Sequence, residues 1–241
     1  MSQNPHIETT QHDRSITSMF GRISKWYDPM NRILSGGLDI YWRHCLVEAM
    51  EPGKTGRILD LAAGTLDVAI ALHNRYEQLH IPAVDLCFSM LYQGMKKLHR
   101  ANITRVWPIT ADAKLLPFPD ACIDGVTLAF GIRNIVPRAK AFSEIARVLL
   151  PGGRMAILEF GTGKQRIWMG LYNYYLTKIL PFIGKLSGDP SAYLYLKQSI
   201  MDFPHPDELL NEIREAGFHQ AYYTPLSSGI VHLYIGEKAN E

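Results

Sequence analysis

The chain has 241 residues, of which 47% are hydrophobic and 20% are charged, and its formal net charge is +2. This composition is typical of a globular protein, and the absence of a Lys/Arg run argues against a nucleic-acid partner. Three cysteines lie far apart without a CxxC pair, which favours free thiols in a reducing compartment. The polar first residues show no leader pattern, so we expect a cytoplasmic protein.

Aromatic and aliphatic residues recur at helical spacing over residues 15–50 and predict an N-terminal helical cap within residues 1–50. From residue 57 onward, short apolar strands alternate with helices. We predict strands at 57–62, 82–86, 105–109, 123–130 and 154–160, and helices at 66–77, 89–100 and 137–149. This alternation indicates an α/β fold, a doubly wound parallel sheet with helices on both faces.

The rhythm changes after residue 160, where the aromatic-rich stretch 165–200 predicts a helical insertion that covers the substrate. Its Asn173, Lys178, Pro181 and Lys185 are costly at a bilayer centre and argue against a spanning helix. A helix follows at 205–218, with Gly217 near its C-terminal end. Strands at 220–225 and 230–237 predict a closing hairpin. We treat 1–241 as a single domain.

Three acidic residues lie at or near the ends of predicted strands. Asp60 is in the first strand, Asp85 closes the second, and Asp112 follows the third. Since the carboxyl ends of parallel strands line one crevice, we expect these side chains to lie together. Asp85 follows Gly64 at close to the roughly 20-residue spacing of an acid that binds ribose hydroxyls. Asp112 suits an adenine amino group or, alternatively, a helix N-cap.

The turn after the first strand, Ala62-Ala63-Gly64-Thr65, lacks the full GxGxxG pattern, because Leu66 stands where another glycine is usual. Asp67, in the first turn of the next helix, would repel a pyrophosphate but attract the ammonium of an amino-acid-like cofactor. These features favour S-adenosylmethionine over a dinucleotide.

Several separate stretches resemble the ubiquinone/menaquinone biosynthesis C-methyltransferase family and together cover nearly the whole chain. They are YDPMNRILSGGLDIYW (27–42), LPFPD (116–120), FGIRN (130–134), RVLLPGGRMAILEF (147–160) and SAYLYLKQSI (191–200). The resemblance implies a class I methyltransferase with a Rossmann-like, seven-stranded, mostly parallel sheet and a C-terminal antiparallel hairpin. It implies S-adenosylmethionine as cofactor and a prenylated quinol, demethylmenaquinol ahead of a benzoquinol, as the acceptor of a ring methyl group.

The resemblance also implies site residues, and no metal is expected. Cofactor contacts are predicted at Gly64, Thr65, Asp67, Asp85, Asp112 and Ala113, to which we add Asp60 and Phe130. Predicted catalytic residues are Arg133, which would stabilise a phenolate or orient a water, Asn134, and Tyr193 with its neighbour Tyr195. The alternatives are a loop salt bridge for Arg133, an Asx turn for Asn134, and packing for the tyrosines. Tyr27, Asp28 and Asn31 would close the pocket, with Asp28 alternatively a helix cap, and His205 is either a base or a turn residue.

The chain departs from the family pattern at five positions, namely Asp39, Leu66, Ala129, Leu150 and Gly161. A left-handed backbone at Leu66 would cost roughly 1–2 kcal/mol. The spacing of Leu66, Ala69 and Ile70 instead suits a first helical turn facing the core, so we favour a working pocket. Another small-molecule acceptor and a non-catalytic homologue remain the alternatives.

Partners follow from the same stretches. The aromatic segment 165–200 predicts a channel for a prenyl tail or a peripheral contact with the inner face of the membrane, with core packing as the alternative. A homodimer is compatible with the sequence, which does not report the oligomeric state.

Overall fold

The computed structural model describes residues 10–51, 56–161 and 190–240. One seven-stranded sheet runs through it, with strand order β3-β2-β1-β4-β5-β7-β6. The strands are β1 (Ile58–Leu61), β2 (Ile81–Asp85), β3 (Val106–Thr110), β4 (Ile123–Ala129), β5 (Leu149–Phe160), β6 (Tyr222–Leu226) and β7 (Val231–Glu237). Strands β1 to β5 pair in parallel, whereas β7 is antiparallel to both β5 and β6. The predicted parallel sheet with a closing hairpin is confirmed.

The strand order places the site. The chain passes outward from β1 through β2 to β3 and then returns to the other side of β1 with β4. Such a reversal opens a crevice at the carboxyl ends of the strands, because the two connections leave in opposite directions. The residues after β1, β2, β3 and β4 therefore meet around one opening.

Helices cover both faces of the sheet. They are α1 (Gln11–Ile23), α2 (Tyr27–Ser35), α3 (Leu38–Glu48), α4 (Asp67–Arg75), α5 (Phe88–Ala101), α6 (Arg138–Val148), α7 (Pro190–Met201) and α8 (Pro206–Glu215). Phe142 of α6 and Ile213 of α8 pack in the apolar core on one face. Leu46 of α3, Leu72 of α4 and Leu98 of α5 pack in the core on the other. This arrangement is the doubly wound architecture that the sequence predicts.

The described part of the predicted N-terminal cap, from residue 10 onward, contains three helices. Helix α1 begins with a capping box. The Asp13 amide donates to Thr10 Oγ1, and the Thr10 amide donates to Asp13 Oδ2. Gly36 and Gly37, both with positive φ, turn the chain between α2 and α3. Met19 of α1 and Met30 of α2 pack with Ala192 of α7 in a small apolar cluster. The N-terminal helices are thereby joined to the end of the predicted 165–200 insertion.

Two local predictions need correction. Strand β5 begins at Leu149, five residues before the predicted start, because Leu149 already pairs with Ile123 of β4 ahead of a shift in register. Helix α4 begins at Asp67, and Leu66 before it has φ +67°. The interpretation of Leu66 as part of the first helical turn is therefore wrong, although its side chain does face the core.

Most of the predicted 165–200 insertion, residues 165–189, lies outside the described residues, and with it the proposed prenyl channel. The prediction of one domain over 1–241 stays a prediction for the same reason. Among the described residues, no helix combines the length and apolar character needed to cross a bilayer.

Candidate active site

A pocket of about 770 Å³, counting its open mouth, lies at the carboxyl ends of β1, β2 and β4. Gly64, Asp85 and Asp112 line it from the strand ends, and Phe20 of α1 and Tyr27 of α2 line it from the N-terminal helices. The crevice predicted from three strand-end acids therefore exists, with α1 and α2 beside it.

Asp85 connects the turn after β1 to the turn after β2. Its Oδ2 accepts a hydrogen bond from the Gly64 amide at 2.8 Å, and its Oδ1 accepts one from the Cys87 amide at 2.7 Å. Burial raises the pKa of the Asp85 carboxyl, and these two amides oppose the rise. Each carboxylate oxygen retains a second lone pair, which suits the two hydroxyls of a ribose.

Asp112 presents a buried acceptor to the pocket. Its Oδ1 accepts a hydrogen bond from the Lys114 amide at 2.9 Å. Its Oδ2 is buried and accepts no hydrogen bond from the described part of the chain, and it lies 3.5 Å from Lys114 Nζ. Because an unsatisfied buried acceptor is costly, this atom fits a ligand that brings a donor, such as an adenine amino group. Ala113, also predicted, lines the same wall.

An ion pair that the sequence did not predict fastens α1 beside Asp112. Lys114 Nζ donates to both carboxylate oxygens of Asp13, at 2.9 and 3.0 Å, and both side chains are almost fully buried. Burial alone would raise the pKa of Asp13, but hydrogen bonds from Thr10 and Lys114 lower it below its ordinary value. Asp13 is the N3 residue of the α1 capping box, and no sequence signal links it to a lysine 101 positions away.

Phe130 stands at the wall between β4 and β5. It lines the pocket with φ +55°, and its ring lies 4.8 Å from that of Phe160 and 6.1 Å from that of Trp42. Trp42 in turn donates from Nε1 to Ser227 Oγ at 2.8 Å. Phe130 thus forms an aromatic wall of the pocket, and Phe160 and Trp42 pack against it where β4 and β5 end.

The structure places the other predicted cofactor residues away from this wall. Asp60 is 1% exposed and accepts hydrogen bonds from the Ala69 amide and Thr127 Oγ1, so it braces the start of α4 against the sheet. Burial raises the pKa of Asp60 to about 7. Thr65 donates from Oγ1 to Asp28 Oδ1 at 2.5 Å. Neither Asp60 nor Thr65 is among the described residues that line the pocket.

Asp67 belongs to a cluster of charges behind the turn. It contacts Lys97 Nζ at 2.6 Å and lies 3.5 Å from Arg43 Nη1. Lys97 also pairs with Asp28 at 2.8 Å, and Asp39, one of the departures from the family pattern, pairs with Arg43. Since the cations here already satisfy Asp67, its predicted contact with a ligand ammonium gains no support from the geometry and stays a prediction.

Leu66 does not obstruct the pocket. Its side chain is fully buried, is absent from the described pocket wall, and faces Gly94 of α5. Leu66 does have the left-handed φ that strains a leucine, but this strain does not close the pocket. The structure therefore supports the working pocket that the sequence favours.

Arg133 is held in a buried ion pair. Its Nη1 donates to Glu159 Oε1 at 2.7 Å and to the Phe130 carbonyl at 2.5 Å. Arg133 and Glu159 side chains are 4% and 0% exposed, and the guanidinium lies over the Phe160 ring. The salt-bridge alternative is realised, and Arg133 does not line the described pocket. Glu159 was missed because nothing in its sequence context distinguishes it from an ordinary strand residue.

Asn134 does line the pocket, and its partner comes from α7. Asn134 Oδ1 accepts a hydrogen bond from Tyr195 OH at 2.8 Å. Burial raises the pKa of Tyr195, which keeps this phenol a donor. Tyr27 also lines the pocket, and burial of its hydroxyl raises its pKa. Asn134 and Tyr195 therefore form a hydrogen-bonded pair at the pocket, and Tyr27 adds a buried phenol to its wall.

Two further predicted residues have different outcomes. Tyr193 lies on α7, but its side chain is outside the described residues. His205 is the N-cap of α8, where its amide donates to Glu208 Oε2 at 2.8 Å and its Nδ1 lies 3.2 Å from Asp207. The alternative of a turn residue is thus the one that the structure supports for His205.

The sequence profile of the ubiE/COQ5 methyltransferase family matches residues 8–238. The chain belongs to this family. Membership confirms the predicted enzyme class, an S-adenosylmethionine-dependent methyltransferase.

Two curated relatives have informative names. The ubiquinone/menaquinone biosynthesis C-methyltransferase of Geotalea daltonii is 38% identical over 234 residues, which is 96% of this chain and all of that protein. The demethylmenaquinone methyltransferase of Thermus thermophilus is 38% identical over 221 residues, 91% of this chain and all of that protein.

Solved structures agree on the fold. The [4+2]-cyclase SpnF has a TM-score of 0.72 at 14% identity, with 98% of each chain covered. A Haemonchus contortus phosphoethanolamine N-methyltransferase in complex with S-adenosylhomocysteine has a TM-score of 0.63 at 17% identity, covering 82% of this chain and 52% of that one. The predicted fold class is confirmed.

Proposed function

We propose that this protein transfers a methyl group from S-adenosylmethionine to a ring carbon of a demethylated prenyl quinol, with demethylmenaquinol as the first candidate. The observation that carries the proposal is that Asp85 and Asp112 line one pocket, where Asp112 Oδ2 accepts no hydrogen bond from the described residues. The relatives named for ubiquinone/menaquinone and demethylmenaquinone methylation support the acceptor class.

The cofactor pocket fits the adenosine half of S-adenosylmethionine. Asp85 offers carboxylate oxygens for the ribose diol, and Asp112 Oδ2 offers an acceptor for the adenine amino group. The Gly64 turn and Ala113 complete the wall. When bound, the cofactor supplies an electrophilic methyl group on a positively charged sulfur.

The acceptor would lie toward Phe130, Asn134 and Tyr195. The aromatic wall excludes water, and the Asn134 amide with the Tyr195 hydroxyl can orient a quinol oxygen. Loss of a phenolic proton makes the ortho carbon nucleophilic, and the ring C–H proton leaves after the bond forms. Arg133 is paired with Glu159 and does not line the described pocket, so its predicted contact with the phenolate stays a prediction, and a guanidinium cannot itself act as a base.

The first experiment is calorimetric titration with S-adenosylmethionine and S-adenosylhomocysteine, followed by transfer of labelled methyl to demethylmenaquinol. We expect micromolar cofactor binding, a methylated quinol, and weak binding by Asp112→Ala. Absence of binding at millimolar cofactor would overturn the proposal in favour of a non-catalytic homologue. Binding without quinol methylation would instead favour another small-molecule acceptor.

The peripheral membrane contact has a candidate location within the described residues. Large apolar side chains are exposed around the turn between α2 and α3, and we call Ile33, Leu38, Ile40 and Tyr41 the α2–α3 surface. The same helices carry Tyr27 at the pocket and Trp42 against Phe130. A lipid contact here would bring a prenyl quinol from the bilayer toward the aromatic wall.

Cosedimentation with anionic phospholipid vesicles tests this surface. The Ile33→Glu/Ile40→Glu variant should bind vesicles much less than the wild type. A matched control is Phe88→Glu/Met95→Glu on α5, whose side chains are also exposed and apolar. Wild-type vesicle binding by Ile33→Glu/Ile40→Glu would place the membrane contact elsewhere, and an equal loss in both variants would show that the α2–α3 surface is not specific.

A further inference from the structure

Gly94, in the middle of α5, leaves space that Leu66 fills. A Cβ atom at Gly94 would lie 2.4 Å from Leu66 Cγ, 2.7 Å from its Cδ1 and 2.9 Å from its Cβ. The position of Leu66 Cβ is fixed by the backbone, so a rotamer change cannot relieve the 2.9 Å contact. Helix α5 tolerates Leu66 only because residue 94 has no side chain.

Leu66 is part of the Gly64–Leu66 turn, whose Gly64 lines the pocket. Gly64 and Leu66 have φ of +53° and +67°, and the Leu66 amide donates to the Ala63 carbonyl at 2.8 Å. The Leu66 carbonyl accepts from Ile70 at the start of α4. Burial of the leucine side chain against α5 therefore holds a strained turn in one conformation.

One face of α5 supports the whole turn. Met90 lies one helical turn before Gly94, lines the pocket, and places its Cε 3.5 Å from where a Cβ of Gly64 would be. The Gly64 amide, held between these supports, donates to Asp85 Oδ2. A shift of Leu66 away from α5 would consequently move the amide that orients the Asp85 carboxylate.

We propose that Gly94 is a positioning residue for the cofactor: by admitting the Leu66 side chain, it sets the backbone of the Gly64–Leu66 turn. Gly94 itself does not line the described pocket. This inference rests on the proposed function, because the pocket must bind S-adenosylmethionine for the position of the turn to matter.

The test is a double-mutant cycle on S-adenosylhomocysteine affinity and thermal stability. Gly94→Ala should weaken binding by about tenfold or more, since a single methyl group displaces the turn. Leu66→Gly/Gly94→Ala should bind within about threefold of Leu66→Gly alone, because glycine removes the contact and adopts a positive φ without strain. Gly21→Ala on α1, where a Cβ would meet only ordinary 3.6 Å contacts, is the matched control and should bind as the wild type.

Each outcome decides the inference. Wild-type affinity in Gly94→Ala, or a loss of melting temperature with unchanged affinity, overturns a positioning role. If Gly94→Ala does not fold, the double variant must recover both folding and binding, and a folded double variant without affinity also overturns it. Failure of the wild type to bind the cofactor instead overturns the proposed function and is seen before any variant is made.

Discussion

The two sides of the pocket are built from the chain in different ways. The cofactor edge (Gly64, Asp85, Asp112, Ala113) uses residues at or just beyond the end of a strand, and Gly64 bonds Asp85 over 21 positions. The proposed acceptor edge joins segments farther apart: Asn134 lines the pocket and bonds Tyr195 over 61 positions, and the Arg133–Glu159 pair lies beside it. At its border, Trp42 reaches Ser227 across 185 positions.

This difference separates two tasks. The cofactor edge depends on the shared geometry of parallel strand ends, so any sheet of this topology can present acids at these points. The acceptor edge depends on which helices and loops pack over β4 and β5. We therefore expect variants at the cofactor edge to change cofactor affinity, and variants at the acceptor edge to change stability or acceptor kinetics while leaving cofactor affinity intact.

The largest expected effect is at the Arg133–Glu159 pair. Glu159→Ala leaves a buried guanidinium without a counter-charge and should destabilise the fold by about 3–5 kcal/mol in urea unfolding. Replacing both partners, as in Arg133→Met/Glu159→Leu, should recover much of that stability. In folded Glu159→Ala, affinity for S-adenosylhomocysteine should stay near the wild type. A strong loss of affinity would contradict the separation of the two edges, because it would show that the Arg133–Glu159 pair also supports cofactor binding.

The next effect is at the cofactor edge itself. Asp85→Ala should raise the dissociation constant for S-adenosylhomocysteine by about 100-fold, roughly 2.7 kcal/mol, because it removes both ribose acceptors and the anchor of Gly64. Asp124→Ala is a matched control, since Asp124 also accepts a backbone amide hydrogen bond but lies at the opposite end of the strands. Unchanged affinity in Asp85→Ala would show that Asp85 does not bind the ribose hydroxyls.

A smaller effect concerns Asp60, which lies under the cofactor edge. Its pKa is raised to about 7 by burial, so the folded state binds a proton that the unfolded state releases above pH 4. Stability should therefore fall as the pH rises from 5 to 8, by about 2 kcal/mol for this group. Asp60→Asn should remove that part of the pH dependence in urea unfolding, whereas Asp202→Asn at an exposed site should not. A wild-type slope retained in Asp60→Asn would show that another group titrates.

The smallest effect tests the hydrogen bond that crosses the acceptor edge. Tyr195→Phe removes the donor to Asn134 and should raise the KM for the quinol by about fivefold, roughly 1 kcal/mol, without changing cofactor affinity. Tyr223→Phe is the control, because its hydroxyl bonds Asp207 at the far edge strand. An unchanged KM in Tyr195→Phe would place the quinol oxygen away from Asn134.

Much of the fold and of the cofactor edge could be predicted from local pattern. Alternating strands and helices indicate the doubly wound sheet, and strand-end spacing brings Asp85 and Asp112 to one crevice. The pairing of Arg133 with Glu159 could not be predicted, because Glu159 reads as an ordinary strand residue. Asp67 was assigned to the ligand from its place in a helix, whereas Lys97 and Arg43, brought in by packing, already satisfy it.

The sequence by itself determined the order of the elements, the closing hairpin and the acids at the strand ends, because these depend on periodicity and on neighbours along the chain. Only the tertiary structure decided the conformation of Leu66. Its backbone is left-handed and its side chain is buried, and both are possible because a glycine on another helix leaves the required space. Local spacing records which side of a helix is apolar, whereas the space available to a side chain depends on residues that only folding brings into contact.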